Sequence, residues 1–287
     1  YCLDVANLQR LMIAQVCADA LKFGVKPIIG GSAAADAWEM DAGCAHPVVW
    51  VPKNSQTRRG KRCGITIREG QIRESQQAVM GDAIYTSPMR TAIDLACERL
   101  EPWEILWLLA LGMRREMEWR ATGSVLQRLG NGVIATRLDC EQQRDNLINE
   151  LAMAVEHHHG RGIRRVRGLI HVADPRIESA LEAASLFEFH QHRIPIPQLQ
   201  VRVSGASGRR YRVDFHWGMV IGEADGALKY SSPESLWAEK RRQEDLERAG
   251  YIVVRWSWAE MLYEPNAVIA RIESALSRPG GKFAMEN

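Results

Sequence analysis

The sequence predicts two mixed domains, an α+β N-terminal half and an α/β C-terminal third that carries four strands. Length is the first observation, since 287 residues exceed the ~100–200 of an ordinary domain. The second is the order of periodic segments after residue 174, which runs helix, three strands, helix, strand. In the N-terminal half, apolar-periodic helices are interspersed with short β-rich runs, which is the third. The boundaries so read are 1–135 for the first domain, 136–173 for a helical connector and 174–287 for the second domain.

Hydrophobic content of 46% with 25% charged residues is ordinary for a globular chain, and a net charge of +2 is no strong field of either sign. The sequence shows no signal peptide and no apolar run of membrane-spanning length. Six cysteines, at 2, 17, 44, 63, 97 and 140, include no CxxC pair. Together these point to a reduced cytoplasm and to no membrane partner.

The N-terminal half opens with an apolar-periodic helix from Ala6 to Phe23, followed by GGSAAADAWEM, a second helix with Ser32 as its N-cap. His46 to Val51 and Gly64 to Arg68 are short strands joined by a basic loop. Thr86 and Ser87 precede Pro88, the cap and first turn of another helix, in which Arg90, Thr91 and Asp94 read as a capping and packing set. Helices from about Glu101 to Trp119 and from about Asp139 to Glu156 follow, separated by Gly123 to Gly132. Cys44 with His46, and the run His157, His158, His159, lack a partner pair at zinc-site spacing and read as incidental.

The C-terminal third begins with IESALEAASLFEF, an amphipathic helix with Glu178 and Glu182 one turn apart, and with RIPIPQLQVRV, a strand reached through prolines. Val213, Phe215 and Trp217 alternate with Asp214 and His216, and Met219, Val220 and Ile221 form an apolar run, so a hairpin turns near Gly218. A charged helix from about Glu234 to Ala249 then stops at Gly250 before a strand of Ile252, Val253, Val254 and Trp256. Side chains two apart on a strand share a face, so Glu223 and Asp225 point the same way, with Asp214 beside them on the paired strand. Packed carboxylates repel and resist desolvation unless a cation sits between them. Oxygen-only clusters suit Mg²⁺ or Mn²⁺. The plainer alternative is a solvated polar face on an edge hairpin.

Six ordered blocks carry a resemblance: SALE (179–182), PQLQV (197–201), RVDFHW (212–217), GEADGALKY (222–230), EKRRQEDL (239–246) and GYIVVRWSW (250–258). They resemble the PD-(D/E)XK nuclease superfamily, in the branch close to very-short-patch-repair endonucleases. The resemblance implies a restriction-endonuclease-like mixed four-stranded sheet flanked by helices, and Mg²⁺- or Mn²⁺-dependent hydrolysis of DNA. By position, Asp214 is the first acid, Glu223 the second and Glu182 the core-helix glutamate, all three as metal ligands. Asp225 stands where the family places a lysine and is expected to add a metal ligand or steer one, so Lys240 or Lys229 becomes the candidate catalytic cation that assists the attacking water.

In the other half, SAAADAWEM (32–40), VVWVPK (48–53) and TSPMRTAIDLA (86–96) resemble the body of AbiEi-like antitoxins of type IV toxin–antitoxin and phage-defence systems. That family places a winged helix in front of the body to bind operator DNA. Only 31 residues precede Ser32, too few for it, so the winged helix is expected to be absent or to lie before Tyr1.

Basic loops add candidate phosphate contacts, namely Arg58, Arg59, Lys61 and Arg62 in KNSQTRRGKR, the run RGIRRVR, and Arg209 and Arg210 in GRRYR. Two functions from different classes follow. One is a metal-dependent DNA endonuclease in phage defence or a toxin–antitoxin context. The other is a non-catalytic antitoxin or transcriptional regulator that uses a nuclease-like fold to bind nucleic acid or a cognate toxin.

Overall fold

A computed structural model describes residues 5–43, 45–53, 59–62, 64–123, 131–225 and 233–278, and divides the chain into two units. The first comprises residues 1–101 and 108–175, and the second residues 102–107 and 176–287. The stretch read as a connector, 136–173, is contained in the first unit.

Six strands form the first unit's mixed sheet: β1 (Ile28–Gly31), β2 (Pro47–Val51), β3 (Gly60–Arg62), β4 (Ile65–Glu69), β5 (Gln77–Met80) and β6 (Ala83–Thr86). Their order is β3-β4-β2-β1-β6-β5, with β1 antiparallel to β2 and parallel to β6. Helix α1 (Val5–Lys22) lays Ile13, Val16 and Ala20 on Ile29, Val49, Val51, Ile65 and Ile67. Burying such side chains contributes roughly 1.5–3 kcal/mol each. Helices α2 (Ser32–Trp38), α3 (Pro88–Ala96), α4 (Pro102–Thr122), α5 (Asn131–Leu138), α6 (Glu141–Glu156) and α7 (Ile163–Leu169), with a 3₁₀ turn at Glu74–Gln76, complete the described elements up to residue 175.

Two sequence expectations need correction here. Ser32 is the first helical residue of α2, and its N-cap is Gly31, with no side-chain cap bond. Gly31 has φ of 63°, and a Cβ there would lie 2.2 Å from the His46 carbonyl oxygen, so only glycine lets the chain turn so close to β2. The sheet is also larger than the two strands expected. The central strand β1 is only four residues long and ends in two glycines, too short and too flexible in composition to register as a strand. Ser87 does cap α3, accepting from the Arg90 N–H at 3.4 Å, with Pro88 in the first turn.

The second unit contains α8 (Ala180–Gln191), β7 (Gln198–Ser204), β8 (Arg210–Trp217), β9 (Val220–Asp225), α9 (Pro233–Arg248), β10 (Ile252–Ser257), α10 (Trp258–Tyr263) and α11 (Pro265–Leu276). Its sheet has the order β10-β9-β8-β7 and is mixed. The β7/β8 and β8/β9 pairs are antiparallel, whereas β9 and β10 run parallel and are joined through α9. The hairpin turns at Gly218 and Met219, as the alternation requires.

Opposite faces of this sheet carry separate cores. Phe189 of α8 packs edge-on against Phe215, Trp217 and Trp256, with ring centroids 5.3, 5.3 and 5.7 Å away. Gly222 makes that possible, since a Cβ there would lie 2.7 Å from Trp256 and 3.0 Å from Trp217. Trp217 Nε1 donates to the Pro195 carbonyl at 2.7 Å and Trp256 Nε1 to Ser185 Oγ at 2.8 Å, so both indoles are satisfied core residues. On the other face Leu246 of α9 packs with Val203, Val213 and Ile221. No helix of the described residues is long and apolar enough to cross a membrane.

Candidate functional site in the C-terminal unit

The polar side chains of this unit gather where β8 and β9 part. Ladder pairing runs Trp217↔Val220, His216↔Ile221 and Phe215↔Gly222. One step further the register would set Asp214 across from Glu223. There the Asp214 carboxylate takes the place of a backbone acceptor, and its Oδ2 accepts the Ala224 N–H at 2.9 Å. Asp214 is thereby held between two strands by a bond its own side chain makes.

On the other side of Asp214 lies Gln200, between the ladder pairs Leu199↔Phe215 and Val201↔Val213. Strand alternation groups Gln200 with the exposed Gln198 and Arg202, yet it is only 6% exposed. The cause is its backbone, since Gln200 has φ of 56°, a left-handed conformation that costs a non-glycine residue about 1–3 kcal/mol. That turn sends its carboxamide inward, where Nε2 donates to Glu182 Oε2 at 3.0 Å and to Asp214 Oδ1 at 3.4 Å.

Glu182 stands in the first turn of α8, where Ser179 caps the helix by accepting the Glu182 N–H at 3.1 Å. Its Oε1 accepts from Ser179 Oγ at 2.9 Å and its Oε2 from the Glu178 N–H at 2.9 Å, folding the carboxylate back over the start of the helix. Burial nevertheless dominates. Desolvation, joined by the charge of Asp214, pushes Glu182 up to about 7 against the bonds that favour its anion.

Glu223 of β9 is 3% exposed, and burial together with Asp214 pushes it up to about 8 despite two nearby guanidiniums. Arg242 of α9 supplies the nearer one. Its Nη2 donates to Glu223 Oε1 at 2.6 Å and to the Arg212 carbonyl at 2.8 Å, while Nη1 reaches Glu239 Oε1 at 3.1 Å. Arg255 of β10 is in register with Glu223, pairs with Asp225 Oδ2 at 3.0 Å and also donates to Glu239. Its pKa is held above the ordinary arginine value by Glu239, Asp225 and Glu223, which outweigh its burial.

These contacts revise the expected constellation. Asp214 acts electrostatically on both Glu182 and Glu223, so the three metal-ligand candidates share one neighbourhood. Asp225 is instead tied to Arg255. Lys240, expected to serve the acids, is exposed on α9 with its ammonium 5.5 Å from the centre of the Trp237 ring, and Trp237 is itself 59% exposed. Among the described residues, positive charge at the acids comes from arginines. Lys229 lies outside the described residues, as does Arg58. Sequence offered two signals for the arginines, namely the Glu239–Arg242 spacing of one helical turn and a charge inside the apolar strand IVVRWS. For Gln200 it offered none, because the left-handed turn overrides the alternation.

Among the basic candidates, Arg209 and Arg210 are exposed at the β7–β8 hairpin. That hairpin is pinned to α9 by Asp245, which accepts from the Ser207 N–H at 2.8 Å, Ser207 Oγ at 2.6 Å and Tyr211 Oη at 2.9 Å. In the first unit Arg59 and Lys61 are exposed, and Arg62 falls within β3. The set Arg90, Thr91 and Asp94 is buried packing, in which Arg90 Nε donates to both Asp94 oxygens at 3.1 and 3.0 Å and Thr91 Oγ1 pairs with Thr86 Oγ1 at 2.7 Å. His158, read as incidental, belongs to that set. Gly160 N–H donates to its Nδ1 at 2.9 Å, so the Nε2 that meets Asp94 Oδ1 at 2.8 Å carries the proton.

No group of three or more His, Cys, Asp or Glu side chains placed to hold a metal ion occurs among the described residues. What converges is two carboxylates and a carboxamide, Glu182, Asp214 and Gln200, with Glu223 nearby. The carboxylates of Glu182, Asp214 and Glu223 are hard oxygen donors, which fits Mg²⁺ or Mn²⁺ in donor chemistry, whereas Gln200 turns its amide N–H groups toward the acids.

Comparison with known proteins finds two relatives, both from Mycobacterium tuberculosis. They are the uncharacterized protein Rv2248 of strain ATCC 25618 / H37Rv and the uncharacterized protein MT2308 of strain CDC 1551 / Oshkosh. Each is 32% identical over 133 residues, or 45% of this chain and 49% of the relative. The chain thus spans about half the length of the curated relatives it matches. No protein-family model and no solved structure matches.

Proposed function

We propose that the C-terminal unit is a restriction-endonuclease-like domain that hydrolyses DNA phosphodiester bonds with Mg²⁺ or Mn²⁺. One observation carries this reading: Glu182 and Glu223 are buried beside Asp214 at the end of a strand pair and pushed up to about 7 and about 8. Burying like charges together is costly, and perturbed carboxylates of this kind concentrate at functional sites. Glu182, Asp214 and Glu223 would hold the cation. When bound, it supplies Lewis acidity toward phosphate and water.

The chain's own residues divide the remaining work. Arg242 places a guanidinium beside Glu223, where the family pattern calls for a lysine, and its planar fork suits a phosphate oxygen. Arg255 fixes Asp225 and Glu239, keeping the acid strand and α9 in register. Arg209 and Arg210 offer charge to the DNA backbone. Cytoplasmic phage defence or a toxin–antitoxin pairing is the setting this reading favours, through the antitoxin-like blocks of the first unit.

A second reading has its own support. Glu223 and Asp225 already have guanidinium partners, which suits a non-catalytic antitoxin or regulator that binds DNA or a cognate toxin. Incubating the protein with supercoiled plasmid and single-stranded DNA in Mg²⁺ or Mn²⁺ separates the two. Cleavage that disappears with EDTA and in Asp214→Ala supports the nuclease. Intact DNA across these substrates, with the protein folded, transfers the conclusion to the binding protein.

A further inference from the structure

We propose that Gln200 is a positioning residue for the cation site, an inference that rests on the metal-dependent reading above. Three elements meet through its carboxamide: β7, which carries it; α8, through Glu182; and β8, through Asp214. Its left-handed backbone serves that contact, because the ordinary alternation of β7 would turn the amide away with Gln198 and Arg202. A carboxamide is the suitable linker. Its Nε2 carries two N–H donors and no charge, so it joins two carboxylates without neutralising either and leaves their charge for a cation. Gln200 thus stands to Glu182 and Asp214 as an outer partner stands to metal ligands, fixing their separation and orientation.

The test uses two variants of the full chain and two readouts. Gln200→Gly removes the side chain and suits the positive φ, while Gln200→Leu keeps the bulk and removes the donors. Mn²⁺ affinity is measured by isothermal titration calorimetry, and thermal unfolding is followed in EDTA. Loss of an outer partner of metal ligands weakens affinity by about 10–100-fold, and that loss is expected in both variants. Melting of Gln200→Gly is expected to stay close to wild type, because strain relief offsets the lost contacts. Wild-type Mn²⁺ affinity in both variants overturns the positioning role and leaves the nuclease reading standing. A wild-type protein that binds no Mn²⁺ overturns both.

Discussion

Replacing Glu223 by glutamine should make the protein more stable at alkaline pH, and the size of the gain follows from the burial of this side chain. Glu223 is 3% exposed and is lifted from 4.5 to about 8 by burial first and Asp214 second. Between those values the folded chain keeps a proton that the unfolded chain has released, so stability falls as pH rises through the window. At ~1.36 kcal/mol per pH unit the loss approaches about 5 kcal/mol above pH 8. Glutamine never ionises and so escapes it. Arg242 loses its ion pair with residue 223 but keeps Glu239 and the Arg212 carbonyl, which reduces the net gain to on the order of 3 kcal/mol. Urea unfolding in EDTA measures it. The variant and wild type should nearly coincide near pH 4.5, with the variant's midpoint clearly higher near pH 8. Equal midpoints at alkaline pH, or a lower one for Glu223→Gln, would show that the carboxylate is not held in the buried, acid-flanked environment described.

Asp214→Asn should lower the pKa of both Glu182 and Glu223, because the Asp214 charge raises each; carbon-detected NMR titration of the two carboxyls checks this, and unchanged values would separate the acids. Arg242→Met should abolish cleavage and cost about 3–5 kcal/mol above pH 8 by leaving Glu223 unpaired, whereas Lys240→Ala should leave melting and turnover unchanged; the opposite pattern in a plasmid assay returns the role to lysine. Removing Arg209 and Arg210 together should weaken DNA binding and reduce the salt slope by roughly 2, as filter binding at several salt concentrations would reveal.

The sequence made the C-terminal element order legible because its strands alternate cleanly and its helix ends carry ordinary stop signals. Val213, Phe215 and Trp217 alternate as if on one inward face, and the structure buries all three but in two cores, the aromatics against Phe189 and Val213 against Leu246. Glu182 was joined to Asp214 and Glu223 only by the resemblance of the ordered blocks, since nothing in periodicity brings α8 to the hairpin. Where reading from the residues broke down, tertiary geometry was responsible. Gln200 is turned by one backbone dihedral that residue type does not announce. Arg242 and Lys240 are two positions apart on one helix, and only the packing of α9 decides which of them meets the acids. In the N-terminal half β1, β5 and β6 are each four residues long, too brief for a period to emerge, and the sheet supplies the order that local sequence lacks.

The parallel pairing of β9 with β10 has a kinetic consequence. A parallel neighbour cannot be reached by a tight turn, so the chain must leave β9, build α9 and return before Arg255 comes into register with Glu223. Arg242 and Arg255 thus reach the acids only through contacts distant along the chain, the kind that form slowly. A hairpin of β8 and β9 alone brings Asp214 and Glu223 together before Arg242 and Arg255 are in place, and mutual repulsion works against closing it early. Docking of α9 and β10 therefore completes the charged centre, which during synthesis can happen only after residue 255 has been made.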